Sequence, residues 1–211
     1  MDKPQQKDWS DYFNATREKP VPALLVKALE SINKKGKAID IGAGALRSSR
    51  YLLDQGFEVT AIDSSPLFAA EAQRIQHKKF RYKTVTVEAF DFPQQNYDLV
   101  AAMFSLPFCH PKIYDVTFRH IKHSLKYGGI FCGQFFGTRD EWAQMYPLTM
   151  TFHTEKQIRT LLGGFEILSL AEEEKEDGQT VTGIPKHWHV FHVIARKLSL
   201  VQRLKRIVHW R

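Results

Sequence analysis

Residues 38–63 read Ala-Ile-Asp-Ile-Gly-Ala-Gly-Ala-Leu-Arg-Ser-Ser-Arg-Tyr-Leu-Leu-Asp-Gln-Gly-Phe-Glu-Val-Thr-Ala-Ile-Asp. An apolar run carrying Asp40 leads into the turn Gly42–Gly44, a helical stretch follows, and a second apolar run ends at Asp63. This pattern predicts a strand, a glycine turn, a helix and a second strand tipped by an acid. Glycines let a backbone approach a ligand closely, and a terminal carboxylate can accept hydrogen bonds from both hydroxyls of a ribose. The stretch therefore predicts a nucleoside-containing cofactor at the carboxyl edge of a parallel sheet.

The acid before the glycines narrows the class of cofactor. A dinucleotide fingerprint requires glycine at position 47, where Arg47 stands. Asp40, Gly42 and Gly44 instead resemble the acid-x-Gly-x-Gly-x-Gly motif of class I S-adenosylmethionine-dependent methyltransferases, with Leu46 in place of the third glycine. A carboxylate suits the cationic ammonium of the methionyl group and repels the anionic pyrophosphate of a dinucleotide. Taken alone, the glycines are also compatible with a simple tight turn between strand and helix.

Three later blocks resemble the same superfamily in the same order. Glu88-Ala89 is followed by Pro93, as after the superfamily's third strand, and residues 97–100 (Tyr-Asp-Leu-Val) resemble the start of its fourth strand. Residues 125–129 (Leu-Lys-Tyr-Gly-Gly) match the turn before its fifth strand, with tyrosine replacing the usual proline. The resemblance spans residues 20–197. Within the superfamily, the chain is most similar to the small-molecule group typified by tellurite-resistance-type and thiopurine-type enzymes.

Strands alternate with helices along the chain, which predicts an α/β fold with a Rossmann-like doubly wound sheet. The resemblance implies seven strands in the order 3-2-1-4-5-7-6, with strand 7 antiparallel. The predicted strands cover 37–41, 57–62, 81–87, 97–103, 130–136, 165–170 and 189–195. The acidic run at 172–177 is predicted to be a solvated loop on the cofactor side of the sheet.

Three segments are predicted. Residues 1–22 form an N-terminal helical lid segment, residues 23–197 the methyltransferase domain, and residues 198–211 a basic amphipathic C-terminal tail. Six of the seven net positive charges lie between residues 196 and 211, so the rest of the chain is nearly neutral and a nucleic-acid substrate is disfavoured. The tail is a candidate for weak contact with an anionic membrane or a protein, or for docking on the body.

The resemblance implies S-adenosyl-L-methionine as cofactor and assigns a role to each matching position. Asp40, Gly42 and Gly44 line the methionyl side, Asp63 holds the ribose, and Glu88 accepts a hydrogen bond from the adenine amino group. The full set of expected cofactor contacts is Tyr12, Arg17, Asp40, Gly42, Ala43, Gly44, Asp63, Ser64, Glu88, Ala89 and Met103. For the lid residues among them, simple packing of a helix on the sheet is the ordinary alternative.

Substrate contacts are expected after strands four and five, from Phe104, Ser105, Phe136, Arg139, Trp142 and His187. Methyl transfer from a sulfonium is an in-line displacement that needs alignment and sometimes proton removal, so no catalytic triad is required. The candidate bases are His110, His187 and His189. Alternatively, His110 caps the next helix, and His189 and His192 are satisfied sheet residues.

The sequence matches the motifs of two other methyltransferase classes only in part. Ser105-Leu106-Pro107-Phe108 is similar to the Asn/Asp/Ser-Pro-Pro-Tyr/Phe motif of amino-group nucleic-acid methyltransferases, except that Leu106 replaces the first proline. Cys109 is similar to a cytosine-C5 nucleophile but lacks the preceding proline. Neither cysteine has metal-ligand spacing, and no stretch is long enough to span a bilayer, so a cytoplasmic enzyme without metal is expected. The alternatives are an RNA or DNA methyltransferase and a non-catalytic cofactor-binding regulatory module. Nothing in the sequence specifies an oligomeric state.

Overall fold

The computed structural model describes residues 9–203, which form one mixed sheet flanked by helices. The strands in chain order are β1 (Lys37–Ile41), β2 (Glu58–Asp63), β3 (Phe80–Thr84), β4 (Tyr97–Ala102), β5 (Leu125–Gly137), β6 (Phe152–His153), β7 (Phe165–Gln179) and β8 (Pro185–Lys197). The α-helices are α1 (Ser10–Thr16), α2 (Ala23–Leu29), α3 (Arg47–Asp54), α4 (Leu67–Gln73), α5 (Pro111–Ser124), α6 (Glu141–Met145) and α7 (Glu155–Leu161). A 3₁₀ turn covers Leu106–Phe108, and a further helical turn begins at residue 200.

The sheet has the order β3-β2-β1-β4-β5-β8-β7, with β6 attached beside β5. The first five strands are parallel, and β8 runs antiparallel between β5 and β7. The central strand β1 is buried along most of its length, as expected for a strand covered by helices on both faces. The predicted α/β class and strand order are confirmed. The predicted count of seven strands is wrong by one, because the two-residue strand β6, which follows α6 in the chain, pairs with the end of β5.

Two apolar layers cover the sheet. One layer packs α2 and α3 against β1, β4 and β5 through side chains such as Leu25, Leu52 and Cys132. The other packs α5 and α7 against the opposite face through Phe118, Phe131 and related side chains. Both covering helices carry sequence signals for their starts: His110 caps α5 ahead of Pro111, and Thr154 with Gln157 forms a capping box at α7.

The last two strands are much longer than the sequence predicts. Strands β7 and β8 form a hairpin whose connection covers only 180–184, so the predicted loop over the acidic run 172–177 is wrong. The physical reason is cross-strand pairing: Glu172, Glu173 and Glu174 each hydrogen-bond a histidine of β8, which holds this charged edge in register.

The two ends of the chain are only partly covered. Residues 1–8 of the predicted lid and 204–211 of the predicted tail lie outside the described residues. The part of the tail that is described docks on the body, where the Leu198 N–H donates to the Gly164 carbonyl at 3.0 Å and Arg203 reaches the Gly163 carbonyl. None of the helices between residues 9 and 203 is long and apolar enough to cross a membrane.

Candidate functional site

The glycine turn between β1 and α3 needs its glycines. Gly42 and Gly44 have φ of +67° and +49°, a region that side chains other than glycine rarely adopt. A Cβ on Gly42 would lie 2.3 Å from the Cβ of Ser105, so the turn passes directly under the segment that follows β4. The missing side chain therefore brings the turn and the 104–105 backbone together.

Leu46 stands where the superfamily's third glycine is expected. It has φ 61° and ψ 21°, the left-handed conformation at the N-terminus of α3, and its side chain is fully buried. The turn thus keeps the backbone path that a glycine would take. The leucine side chain compensates for its backbone strain by packing with Ala43, Ala61 and Ala72.

Asp63 holds the glycine turn from the neighbouring strand. Its Oδ2 accepts a hydrogen bond from the Gly44 N–H and its Oδ1 accepts one from the Ser65 N–H, both at 2.9 Å. Burial raises the pKa of Asp63, and these backbone N–H groups oppose the rise. A carboxylate offers about four lone-pair sites, and these N–H groups occupy only part of them, so Asp63 can still accept from a ligand hydroxyl.

Asp40 is a buried carboxylate with a single hydrogen-bonding side chain. Its exposed fraction is 1%, and its Oδ2 accepts a hydrogen bond from the Ser49 hydroxyl at 2.7 Å. Burial raises the pKa of Asp40 to about 6, Ser49 opposes this, and the charge of Asp63 adds to the rise. A carboxylate that is this costly to ionise is stabilised by a bound cation, such as an ammonium group.

A cavity opens between the glycine turn and α1. Tyr12 and Thr16 of α1 lie on one side of it and Met103 beyond β4 lies on another. The rest of its lining is Pro22, Asp40, Gly42, Ala43, Gly44, Ala45, Arg47 and Ser48. Its volume is about 30 Å³, enough to hold water. We expect the side chains of α1 to move outward when a larger ligand enters.

α1 is held over the cavity by aromatic contacts. The ring of Trp9 meets Phe108 edge-on with centroids 5.6 Å apart, and Phe13 lies 5.8 Å from Phe68 of α4. Tyr12 is largely buried, and burial raises the pKa of its hydroxyl. Arg17 lies at the end of the helix, pairs with Glu18 at 3.5 Å, and is not part of the cavity lining.

Glu88 lies on the segment that follows β3 and starts beside Asp63, but it does not line this cavity. The Val85 N–H donates to the Asp63 carbonyl at 2.8 Å, which fixes the start of the segment. The Glu88 Oε1 accepts a hydrogen bond from the His110 N–H at 3.3 Å. Glu88 also lines a second cavity of about 380 Å³, together with Phe90, Asp91, Phe92, Gln94, His120 and His123. The structure thus brings Asp40 and Asp63 together and places Glu88 on the adjoining segment.

Two smaller expected contacts lie near these acids. Ser64 is exposed immediately after β2, next to Asp63. Ala89 is exposed in the turn after β3, and its N–H donates to the Thr86 carbonyl at 3.2 Å. Both residues lie at the open edge of the sheet.

The segment after β4 is strained and partly open. Phe104 has φ +55°, its ring is 38% exposed, and its N–H donates to the Gln134 Oε1 at 3.0 Å. The Ser105 hydroxyl oxygen is buried and has no hydrogen-bond partner among the described residues. A strained backbone and an unpaired buried hydroxyl, both beside the cavity, are features that cluster at functional sites.

An aromatic cluster continues from Phe104 towards β8, and the sequence did not reveal its centre. Phe136 contacts Trp188 and Trp142 with ring centroids 5.5 and 5.9 Å away. The buried ammonium group of Lys186 lies 3.8 Å from the centroid of Trp188 and forms an ion pair with Asp140. Only the strand parity of β8, which places Lys186 and Trp188 on the same face, could have indicated this arrangement.

The three candidate bases lie in two kinds of surroundings. His110 caps α5, where its Nδ1 accepts a hydrogen bond from the Lys112 N–H at 3.1 Å. His189 is buried with both ring nitrogens engaged, by Glu172 at 2.7 Å and by the Arg139 N–H at 3.1 Å.

His187, the remaining candidate base, and Arg139, the basic residue among the expected substrate contacts, lie in the same surroundings as His189. His187 pairs with Glu174 at 3.1 Å. The Arg139 side chain pairs with Glu172 and Glu174, at 2.8 and 2.7 Å, and these pairs raise its pKa. His187, His189 and Arg139 therefore form one charged network with the acidic edge of β7.

Part of the chain matches known methyltransferases in sequence. Residues 38–129 match the methyltransferase domain family. A stretch of 73 residues is 36% identical to a malonyl-[acyl-carrier protein] O-methyltransferase from Enterobacter lignolyticus. This match covers 35% of the chain but only 29% of that enzyme, so the chain spans less than a third of the curated relative.

Solved structures share the fold at low identity. TehB from Haemophilus influenzae superposes with a TM-score of 0.71 at 20% identity, over 89% of this chain and 66% of that one. The 1,6-didemethyltoxoflavin-N1-methyltransferase of Burkholderia thailandensis, solved with 1,6-didemethyltoxoflavin and S-adenosylhomocysteine, superposes with a TM-score of 0.64. It is 22% identical, over 84% of this chain and 77% of that one.

Proposed function

We propose that this chain is a class I S-adenosylmethionine-dependent methyltransferase that transfers the methyl group of S-adenosyl-L-methionine to a small-molecule acceptor. The observation that carries this proposal is the pair of carboxylates at the glycine turn. Asp40 is a buried acid whose raised pKa favours a cationic partner, and Asp63 pins the turn while keeping free lone pairs. A methionyl ammonium and a ribose supply matching groups.

The residues around the cavity fit this cofactor. Asp40 would hold the ammonium group, the Gly42–Gly44 backbone would follow the methionyl chain, and Asp63 would accept the ribose hydroxyls. Glu88, on the segment that leaves the sheet beside Asp63, would accept from the adenine amino group. The unpaired Ser105 hydroxyl, buried under Gly42, offers a further donor to the methionyl end.

The cofactor supplies an activated methyl group, so the protein has to align the acceptor, exclude water and remove a proton where the acceptor carries one. Exclusion of water falls to α1, whose Tyr12 covers the glycine turn and whose Trp9 packs on Phe108. Residues 9–22 would therefore act as a lid that opens for the cofactor and closes over it.

A small acceptor is favoured over a nucleic acid. The partly exposed ring of Phe104 lies 6.3 and 6.4 Å from the rings of Phe136 and Trp188 and would offer an apolar surface to a small acceptor. The positive charge is concentrated in the C-terminal tail, away from the glycine turn in sequence. The toxoflavin-type enzyme with the same fold is named for a small heterocyclic acceptor.

Calorimetric titration with S-adenosylhomocysteine tests the proposal, followed by turnover with a panel of small acceptors in which released S-adenosylhomocysteine is measured. One-to-one binding together with turnover is expected. Binding without turnover by any acceptor would favour the regulatory-module alternative. Absence of binding would overturn the assignment of the site.

A further inference from the structure

His192 lies at the same level of the sheet as the end of the cofactor cleft. It pairs with Gln134 of β5, whose side chain accepts the Phe104 N–H, and β5 in turn pairs with β4. Strand register places Asp40, Ala101 and Cys132 on one face of the sheet. Met103, two residues after Ala101, and His192, which pairs with the residue two positions after Cys132, lie on the same face. With strands about 4.8 Å apart, His192 lies roughly 10 Å from Met103 along the sheet.

The imidazole of His192 is held through one nitrogen only. Its Nε2 lies 2.9 Å from the Glu173 Oε2, whereas its Nδ1 has no hydrogen-bond partner among the described residues. The His192 side chain is partly exposed, at 23%. An ionised Glu173 favours the tautomer with the proton on Nε2, which leaves a lone pair on Nδ1.

Flat apolar groups surround this nitrogen-bearing ring. The partly exposed ring of Phe104 meets His192 edge-on with centroids 6.3 Å apart, and Trp188 lies 6.4 Å from Phe104 on its other side. The exposed part of the Phe104 ring offers a flat apolar surface beside His192, which suits a planar acceptor.

The three histidines that the sequence suggests as bases do not share this arrangement. His187 and His189 pair with Glu174 and Glu172 on the opposite face of the hairpin, and His110 uses Nδ1 to cap α5. Within residues 9–203, His192 combines the cofactor-side face with a ring nitrogen that lacks a partner. It is therefore the best-placed base.

We propose that His192 is the general base of the methyl transfer, that Glu173 is its positioning residue, and that the acceptor is a planar aromatic molecule bearing an O–H or N–H group. This inference rests on the proposed function. His192 Nδ1 takes the proton of the acceptor while the acceptor's lone pair forms the new bond to the methyl carbon. The electron pair of the broken carbon–sulfur bond leaves with the neutral thioether, and the imidazolium, stabilised by Glu173, passes its proton to water.

The kinetic test compares acceptors of different acidity. Phenols, with a pKa of about 10, need a base at pH 7.5, whereas thiophenols are already largely ionised. We expect His192→Gln to lower kcat/KM for phenols by about 100-fold or more and for thiophenols by less than about threefold. His77→Gln, an exposed histidine, is the matched control. Equal losses for both acceptor classes, or no loss, would overturn the role as base.

Glu173 is tested with the same two acceptor classes. Glu173 pairs with Lys175 at 2.6 Å as well as with His192, whereas Gln134 and Phe104 carry no charge. Glu173→Gln removes the negative partner of the imidazolium that forms when His192 takes the proton, so kcat/KM should fall for phenols and change little for thiophenols. A merely structural role of Glu173 would lower kcat/KM equally for both acceptor classes.

Two measurements do not depend on turnover. Nuclear magnetic resonance of ¹⁵N-labelled histidine should show His192 protonated on Nε2 and unprotonated on Nδ1 at pH 8, and the opposite tautomer would contradict the proposal. Calorimetry should show unchanged affinity of His192→Gln for S-adenosylhomocysteine. If the wild type binds S-adenosylhomocysteine but methylates neither phenols, thiophenols nor aromatic N–H acceptors, the acceptor class proposed here is wrong. If it does not bind, the proposed function itself is wrong.

Discussion

The carboxylate of Asp63 accepts a hydrogen bond from the backbone N–H of Gly44 at 2.9 Å, across a separation of 19 residues. This contact ties the end of β2 to the glycine turn that follows β1. An acid expected only to bind a ribose therefore also shapes the turn that we propose as the methionyl site. Changes at Asp63 should affect both ends of the cofactor.

Asp63→Ala should weaken binding of S-adenosylhomocysteine by about 10- to 150-fold. Hydrogen bonds to a charged group contribute roughly 1.5–3 kcal/mol, and this substitution removes the ligand contacts as well as the anchor of the turn. Calorimetry provides the measurement, and Asp54→Ala, on the exposed end of α3, is the matched control. Affinity equal to that of the wild type would contradict the ribose assignment.

Gly42→Ala should disrupt the site by overlap as well as by backbone strain. Gly56 has φ +91° with nothing within 4 Å of its added Cβ, so Gly56→Ala carries the backbone strain alone, about 1–2 kcal/mol. We expect Gly42→Ala to lower the melting temperature further and to impair S-adenosylhomocysteine binding. Combining it with Ser105→Gly removes the 2.3 Å contact and should restore part of both. Identical behaviour of the two single variants would show that the contact with Ser105 is unimportant.

Restoring glycine at position 46 should destabilise this protein. Leu46→Gly relieves left-handed strain of about 1–2 kcal/mol but removes a fully buried leucine, a loss of about 2–5 kcal/mol. The free energy of unfolding, measured in urea, should therefore fall by roughly 2 kcal/mol. A variant at least as stable as the wild type would mean that the leucine side chain does not compensate for its backbone.

Binding of S-adenosylhomocysteine should weaken as the pH falls through the pKa of Asp40, about 6. Below that pH the carboxyl is neutral and loses its attraction for the ammonium group. At pH 5 about a tenth of Asp40 is ionised, so affinity should be roughly tenfold lower than at pH 7.5. Asp40→Asn should bind weakly with little pH dependence over this range. A wild-type affinity that stays constant from pH 7.5 to 5 would contradict the proposed ammonium contact.

The stability of the fold should decrease in mild acid because of His153. Burial lowers the pKa of His153 to about 4, against 6.5 in the unfolded chain, and its Nδ1 is buried without a partner among residues 9–203. The unfolded chain thus binds more protons between these values, and stability is lost as the pH falls from 6.5 towards 4.

For His153 this loss amounts to roughly 2 kcal/mol at pH 5. Asp40 opposes it, since an acid with a raised pKa favours the folded state as the pH falls through about 6. His153→Phe, which keeps a ring between Tyr114 and Phe135, should therefore be more stable than the wild type at pH 5 but not at pH 8. Urea unfolding at both values checks this, with His77→Phe as an exposed control. An equal effect at both pH values would exclude the linkage.

The sequence predicted the part of this protein that depends on local pattern. The turn at Gly42–Gly44, the acid at the end of β2 and the order of the sheet follow from motifs whose physics is contained within a few residues. The length of the hairpin of β7 and β8 does not follow from a local motif. A run of glutamates favours a loop unless histidines lie opposite it across the hairpin.

The acceptor side was harder to predict for a related reason. The face of His192 depends on strand parity and register, so an error in the length of β8 hides which histidine faces the cleft. The positive φ of Phe104 likewise arises from long-range contact with Gln134 rather than from its own sequence. Of the three histidines that the sequence suggests as bases, His110 caps α5, and His187 and His189 pair with the acidic edge of β7.

The most direct test is a crystal structure of the protein with S-adenosylhomocysteine. We expect one ligand molecule, covered by Tyr12 in a shifted position. Its ammonium group should contact Asp40, its ribose hydroxyls Asp63, and its adenine amino group Glu88. A ligand bound elsewhere, or one that leaves Asp40 and Asp63 without contact, would contradict the proposed cofactor site.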